Sequence, residues 1–347
     1  MSRLLRALAL AALLSPLAAR AISFEVCDRP TEPSAEQRDV MLRFGALVRD
    51  ELAASGADVA LVARSGLDLH RLDVRYSHEA VALKDNDGRP WSVRELYYSC
   101  EDHRPRVFDE GLTGFLLGTD DPRDGYVSLV FLPPGHAAPL RATAVDKRHA
   151  LGVLGASYSA NAYPFSTRHQ NCNQWVMELL ADAWRAGDAD ADPDADAHAH
   201  ARADEQAHAD AGTGTGTGTS TSTSTSTSTS TSTGTDTHAR MQAQAWMRAQ
   251  GYRPTVFTVS AHPMTWLADL VPWLSNDDHP PEALAQGRYE VSMPASIETF
   301  VQARVPGARR VELCHAGRHV VVHRGWDDIA EGCVAGAGDT VLELAAD

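Results

Sequence analysis

Three residues, Cys172, His78 and Glu95, have the types and surroundings that nucleophilic thiol chemistry requires. From Cys172 onward, Trp175, Val176, Leu179, Leu180 and Ala183 recur at the three-and-four spacing of a helix with one apolar stripe. Pro164, Ser166, Thr167 and Asn171 make an irregular approach, which puts the thiol in the first turn. There the unpaired N–H groups and the positive end of the helix dipole favour a thiolate, the nucleophilic form. A thiolate needs a base, and His78 is the candidate. In Arg-Tyr-Ser-His-Glu-Ala-Val-Ala-Leu, Tyr76, His78 and Ala80 alternate with Ser77, Glu79 and Val81 as on a half-buried strand. An imidazole facing the thiol would take its proton and return it to a leaving group. The same spacing also suits a packed strand histidine and a buried structural cysteine.

The elements that must position these groups follow in chain order. Ser34-Ala-Glu-Gln37 reads as a capping box opening an amphipathic helix to about Ala54, and Asp58 to Ala63 as a short buried strand. Asn86-Asp-Gly88 signals a hairpin from the His78 strand into Trp91–Tyr98. That second strand carries Glu95, the candidate for orienting the imidazole as a carboxylate does in a triad; Ser92, Asp85 and Asp109 compete for the role. Val107-Phe108 and Gly125–Leu132 read as further strands. Leu140–Leu154 reads as one helix turning Val145, His149, Leu151 and Leu154 inward. His149, on that helix, and His169, in the loop before Cys172, are alternative bases without the strand placement of His78.

The N-terminus combines Arg3 and Arg6, an apolar run and an Ala19-Arg-Ala21 site, which predicts a signal peptide over residues 1–21 and a periplasmic or secreted protein. No later run is long and apolar enough to span a bilayer. Five cysteines in an oxidising compartment leave one over. Cys314 with Cys333 is the expected disulfide and Cys27 with Cys100 the second, which would leave Cys172 as the free thiol.

Of the formal charge of −15, residues 186–238 hold −8, nine acidic residues against one arginine, and without the signal peptide's three arginines the rest of the chain is still acidic at −10. The absence of a basic stripe gives no reason to expect nucleic acid. That tract alternates Asp-Ala, His-Ala, Gly-Thr and Ser-Thr, cannot bury an apolar face, and is expected to be a disordered insertion. Its His198, His200 and His208 bring no fixed geometry, so no metal and no cofactor are assigned. The core is expected over 22–185 and again from 239, beginning with a helix at Arg240–Arg248. A short helix is read at His262–Leu270, a strand at Tyr289–Met293, and a helix capped by Ser296. Arg310–Cys314 pairs with His319–His323 in what reads as a small C-terminal α+β subdomain.

A strand histidine, a strand with a polar residue and then Asn-Cys-x-x-aromatic-Val opening a helix resembles the circularly permuted branch of the papain-like fold. That branch includes permuted NlpC-type peptidases and the lecithin:retinol acyltransferase group. The strings RSGLDL, RYSHEAVAL, PWSVRELYY, GLTGFLLGTDDP, YSANAYPFS and NCNQWVMELL resemble an exported bacterial domain-of-unknown-function family, number 2145. The resemblance implies an α+β fold with a permuted papain-like core, Cys172 as nucleophile and His78 as base. Tyr158 stands where related hydrolases often carry a tyrosine near the oxyanion site. The implied function is a thiol hydrolase acting on a peptide, amide or acyl ester of the cell envelope. The rival readings are a non-catalytic module of the same shape that binds an envelope partner, and a histidine-rich metal-binding protein.

Overall fold

The computed structural model describes residues 33–86, 89–191, 237–259 and 273–345. The predicted signal peptide, the tract 192–236 and the helix read at His262–Leu270 lie outside them, as does Cys27. Helix α1 (Ala35–Ala54) opens with the expected capping box, the Ser34 hydroxyl accepting from Gln37 N and the Gln37 side chain accepting from Ser34 N. Strands β1 (Val59–Arg64), β2 (His78–Asn86), β3 (Arg89–Ser99) and β4 (Arg104–Gly111) then form an antiparallel meander. Helix α2 (Leu112–Leu117) leads into β5 (Asp124–Phe131), which returns beside β1.

The chain continues through α3 (Pro134–Val145), α4 (Lys147–Gly152), α5 (Cys172–Ala191) and α6 (Thr237–Ala249). Strands β6 (Thr255–Thr258) and β7 (Arg288–Val291) pair in a separate small sheet, with α7 (Pro281–Ala285) before β7. Helix α8 (Pro294–Arg304) precedes β8 (Arg309–Ala316), β9 (His319–Arg324) and β10 (Thr340–Glu343). The result is a mixed α+β fold on an eight-stranded antiparallel sheet, ordered β10-β9-β8-β5-β1-β2-β3-β4. Alternation along the strands divides the core. Val59, Leu61, Val81, Leu83 and Leu96 pack on one face against α3 to α6 and α8. Ala60, Val62, Ala80, Ala82 and Val93 pack on the other against α1 and α2.

Four expectations change. Leu140–Leu154 is two helices: Asp146 ends α3 and caps α4, accepting from Arg148 N at 2.8 Å. The phase shift leaves Val145 37 % and Leu151 50 % exposed and turns His149 outward. The helices flanking the low-complexity tract reach into it, α5 to Ala191 and α6 from Thr237. Ser296 lies inside α8 rather than capping it, its hydroxyl accepting from Met293 N and donating to Met293 O. The C-terminal hairpin adds directly to the main sheet, because β8 pairs with β5 from Asp124↔Ala316 to Phe131↔Arg309.

Candidate active site

Helix α5 starts where its sequence permits. Asn171 Oδ1 accepts from Gln174 N at 2.7 Å, satisfying one of the first-turn donors, so Cys172 opens the helix. The N–H of Cys172 belongs to that first turn, which has no intrahelical acceptor. Residues 171–184 are buried on every side, more than the single predicted stripe, because α6 and the loop before Cys172 close over the polar face. That loop is held by a clamp. Arg240 Nε bonds Glu178 at 2.8 Å, and the guanidinium also donates to Thr167 O at 2.7 Å and His169 O at 3.0 Å. Gln170, Gln174 and Gln244 donate to the same carboxylate. A bridge between Tyr158 and Gln170 then lays Tyr158 beside the cysteine.

The sheet supplies the other half. Its register pairs His78 with Arg64, and it sets His78, Glu95 and Glu110 on one face together with Phe115 of α2. His78 is the first residue of β2, so its ring lies at the strand's end, where the first turn of α5 meets it. His78 Nε2 hydrogen-bonds Glu95 Oε2, and the Cys172 sulfur lies near enough to the imidazole to raise its pKa. With Nε2 committed to the carboxylate, Nδ1 is the nitrogen left for the thiol. The Tyr158 hydroxyl is near enough to the same sulfur to feel its charge.

Electrostatics follow from this packing. Burial alone would lower the His78 pKa, but its interactions with Cys172 and with the Glu95 carboxylate outweigh it and raise the group to about 9. Burial would raise Glu95; the imidazolium prevails and brings the carboxyl down to about 2. Glu110 is pushed up to about 8 by burial and by its hydrogen bond to Glu95, so at neutral pH it is the protonated partner of an acid pair. Burial first, and then the charge of Cys172, raise Tyr158 well above the usual phenol range, keeping its hydroxyl a donor. A thiol, an imidazole and a neutral phenol brought together are the groups needed to attack a carbonyl, protonate a leaving group and donate to the resulting oxyanion.

Each sequence candidate has a definite place. Cys172, His78, Glu95 and Tyr158 come together. Asp109 instead holds Arg94 through two bonds of 2.6 Å, Asp85 is exposed, and Ser92 makes no hydrogen bond to His78. His149 bonds Asp182 at 2.7 Å, and His169 bonds Ser157 at 2.9 Å and Asp277 at 2.6 Å, so neither serves the thiol. Cys314 and Cys333 form a disulfide, and Cys100 is disulfide-bonded, its expected partner Cys27 lying outside the described residues. Cys172 is the free cysteine among the described residues.

Two members were not foreseen, Glu110 and Arg64. Arg64 lies over the Phe115 ring at 5.0 Å, donates to Gly118 O, and adds positive charge near Glu95 and Glu110. A Cβ on Gly118 would come within 2.6 Å of its guanidinium, so any side chain there would displace the tip of Arg64. The available signal was polar residues recurring at inward positions of otherwise apolar strands. Among the described residues, no group of three or more His, Cys, Asp or Glu could hold a metal ion, and no helix is long and apolar enough to cross a membrane.

Neither the curated proteins nor the solved structures contain a match to this chain. A family profile does match over residues 51–301, a span that contains Arg64, His78, Glu95, Glu110, Tyr158 and Cys172 and stops before the Cys314–Cys333 disulfide. The chain therefore belongs to the bacterial family described as an uncharacterized protein conserved in bacteria (DUF2145).

Proposed function

We propose that the chain is an exported thiol hydrolase on a circularly permuted papain-like core, acting on an amide or ester of the cell envelope through an acyl-enzyme. The observation that carries this reading is the meeting of Cys172 and His78 from distant parts of the chain, with Glu95 on the second ring nitrogen. The order of strand histidine, strand carboxylate and helix-opening cysteine, laid over an antiparallel sheet, supports the permuted assignment. The Cys314–Cys333 disulfide supports export.

In the proposed reaction the Cys172 thiolate adds to the carbonyl carbon, and the oxyanion accepts from the Tyr158 hydroxyl and the first-turn N–H of Cys172. One such donor contributes about 3 kcal/mol. The His78 imidazolium gives its proton to the departing amine or alkoxide, leaving a thioester. Neutral His78 then takes a proton from water as the water attacks the thioester, and its imidazolium returns opposite the released thiolate. Glu95 stays ionised and holds the ring in orientation.

One observation favours the rival, a non-catalytic module of the same shape. Cys172 is 7 % and His78 6 % exposed, which leaves little of the pair open to a substrate. Incubation with p-nitrophenyl acetate separates the two. The hydrolase reading predicts a stoichiometric burst of nitrophenolate and an acetyl group on the Cys172 peptide, both absent in Cys172→Ala. Acetylation of the native protein no greater than that of Cys172→Ala would leave the binding module standing.

A further inference from the structure

Asn173, the second residue of α5, is 2 % exposed and occupies a position that its helical surroundings do not explain. Its carboxamide leaves the helix and bonds the start of β2. Oδ1 accepts from Glu79 N at 2.9 Å, and Nδ2 donates to Ser77 O at 3.2 Å. Ser77 and Glu79 are the residues on either side of His78, so one side chain holds the backbone on both flanks of the imidazole. The same Oδ1 lies 3.6 Å from the Cys172 sulfur, as acceptor of the thiol proton, and Nδ2 also reaches Met293 Sδ at 3.9 Å. Every polar atom of the amide is therefore spent between the nucleophile's helix and the base's strand.

Apolar packing between α5 and the sheet, by Val81, Trp175 and Val176, fixes their separation but does little to fix rotation or slide. A two-point amide bridge fixes both. We propose that Asn173 is the positioning residue of the Cys172–His78 pair, locking the strand start that carries the base to the helix start that carries the thiol. The inference rests on the proposed thiol function and adds a residue to its site. Asn173 does not touch a reacting carbonyl; it acts through where it holds His78. Because Oδ1 offers the thiol proton a second acceptor, it also provides a place for the neutral thiol while His78 is uncharged.

The test compares Cys172 carbamidomethylation by iodoacetamide from pH 5 to 10 in the full-length protein, Asn173→Ala, Asn173→Ser and His78→Ala. Val320→Ala, in the core of β9 away from the site, serves as a control for lost stability. The expected result is rapid labelling well below pH 8.5 in the native protein, lost in Asn173→Ala by at least about tenfold at pH 7, with its profile moving onto that of His78→Ala. Val320→Ala should keep the native profile even where its melting temperature falls as far. Serine is too short to reach both Ser77 O and Glu79 N, so Asn173→Ser should behave like the alanine variant and carries the test if alanine does not fold. A native profile in a folded Asn173 variant overturns this inference and leaves the Cys–His pair intact. A native protein that already labels like His78→Ala overturns instead the reading on which it rests.

Discussion

Helix α5 carries two buried polar networks, one around Cys172 and one around Glu178, and their construction differs. At Glu178 the carboxylate meets a guanidinium and three carboxamides, and Arg240 spends its remaining donors on the carbonyls of Ser166, Thr167 and His169. Arginine is a fixed charge and carboxamides do not titrate, so none of that carboxylate's partners changes state as a proton moves. At Cys172 the members are a thiol, an imidazole, a phenol and two carboxyls sharing one proton, and four of them are displaced far from their ordinary pKa values, His78, Glu110 and Tyr158 upward and Glu95 downward. Burial of polar groups is common to both. What separates a clamp from a candidate reaction centre is whether the buried groups exchange protons over the working range of pH.

The largest effect should come from breaking the clamp. Arg240→Met leaves Glu178 buried and uncompensated, and urea denaturation should show a loss of about 3–5 kcal/mol. A loss below about 1 kcal/mol, the scale of an exposed pair, would mean the clamp does not carry structure and the contrast is misdrawn.

A smaller effect, with a pH signature, is expected at the other network. His78 and Glu110 have raised pKa values in the folded state, so the folded protein keeps protons that the unfolded chain releases. Their contribution to stability is complete at low pH. It is lost between about 4.5 and 8 for Glu110 and between about 6.5 and 9 for His78. Glu95 works oppositely, its stabilisation present above its ordinary value of 4.5 and lost as pH falls toward 2. Melting temperatures should therefore decline from pH 5 to 9. Glu110→Gln, which cannot ionise, should reduce that decline while changing stability little at pH 5. An unaltered decline in Glu110→Gln would remove the acid pair from the account.

How much of this was legible in the sequence depended on distance along the chain. The helix opened by Cys172 and the strand of His78 show in local periodicity, and Glu95 follows because the Asn86-Asp-Gly88 signal makes the next strand, β3, the neighbour of β2. Glu110 is one strand further, and its approach to Glu95 depends on the β3–β4 register, in which it sits opposite Val93. Arg64 reads as the polar end of an apolar strand until β1 is known to pair it with His78. Glu178 and Asn173 look like solvent-facing residues of an amphipathic helix. They are buried because α6, which follows the low-complexity tract, and the strand start from near residue 78 close over them, and no local pattern encodes those partners. The break at Asp146 was missed because Leu140–Leu154 keeps helix-forming residues through it, and only the cap reveals the change of phase.

The most direct test of the central claim is the rate of Cys172 alkylation against pH in the native protein and in His78→Ala. The account predicts labelling in the native protein that is already fast well below the free-thiol value of about 8.5, and in His78→Ala a single rise near that value. Slow labelling with the same profile in both proteins would contradict it, because a thiol indifferent to His78 is not part of a proton-exchanging site.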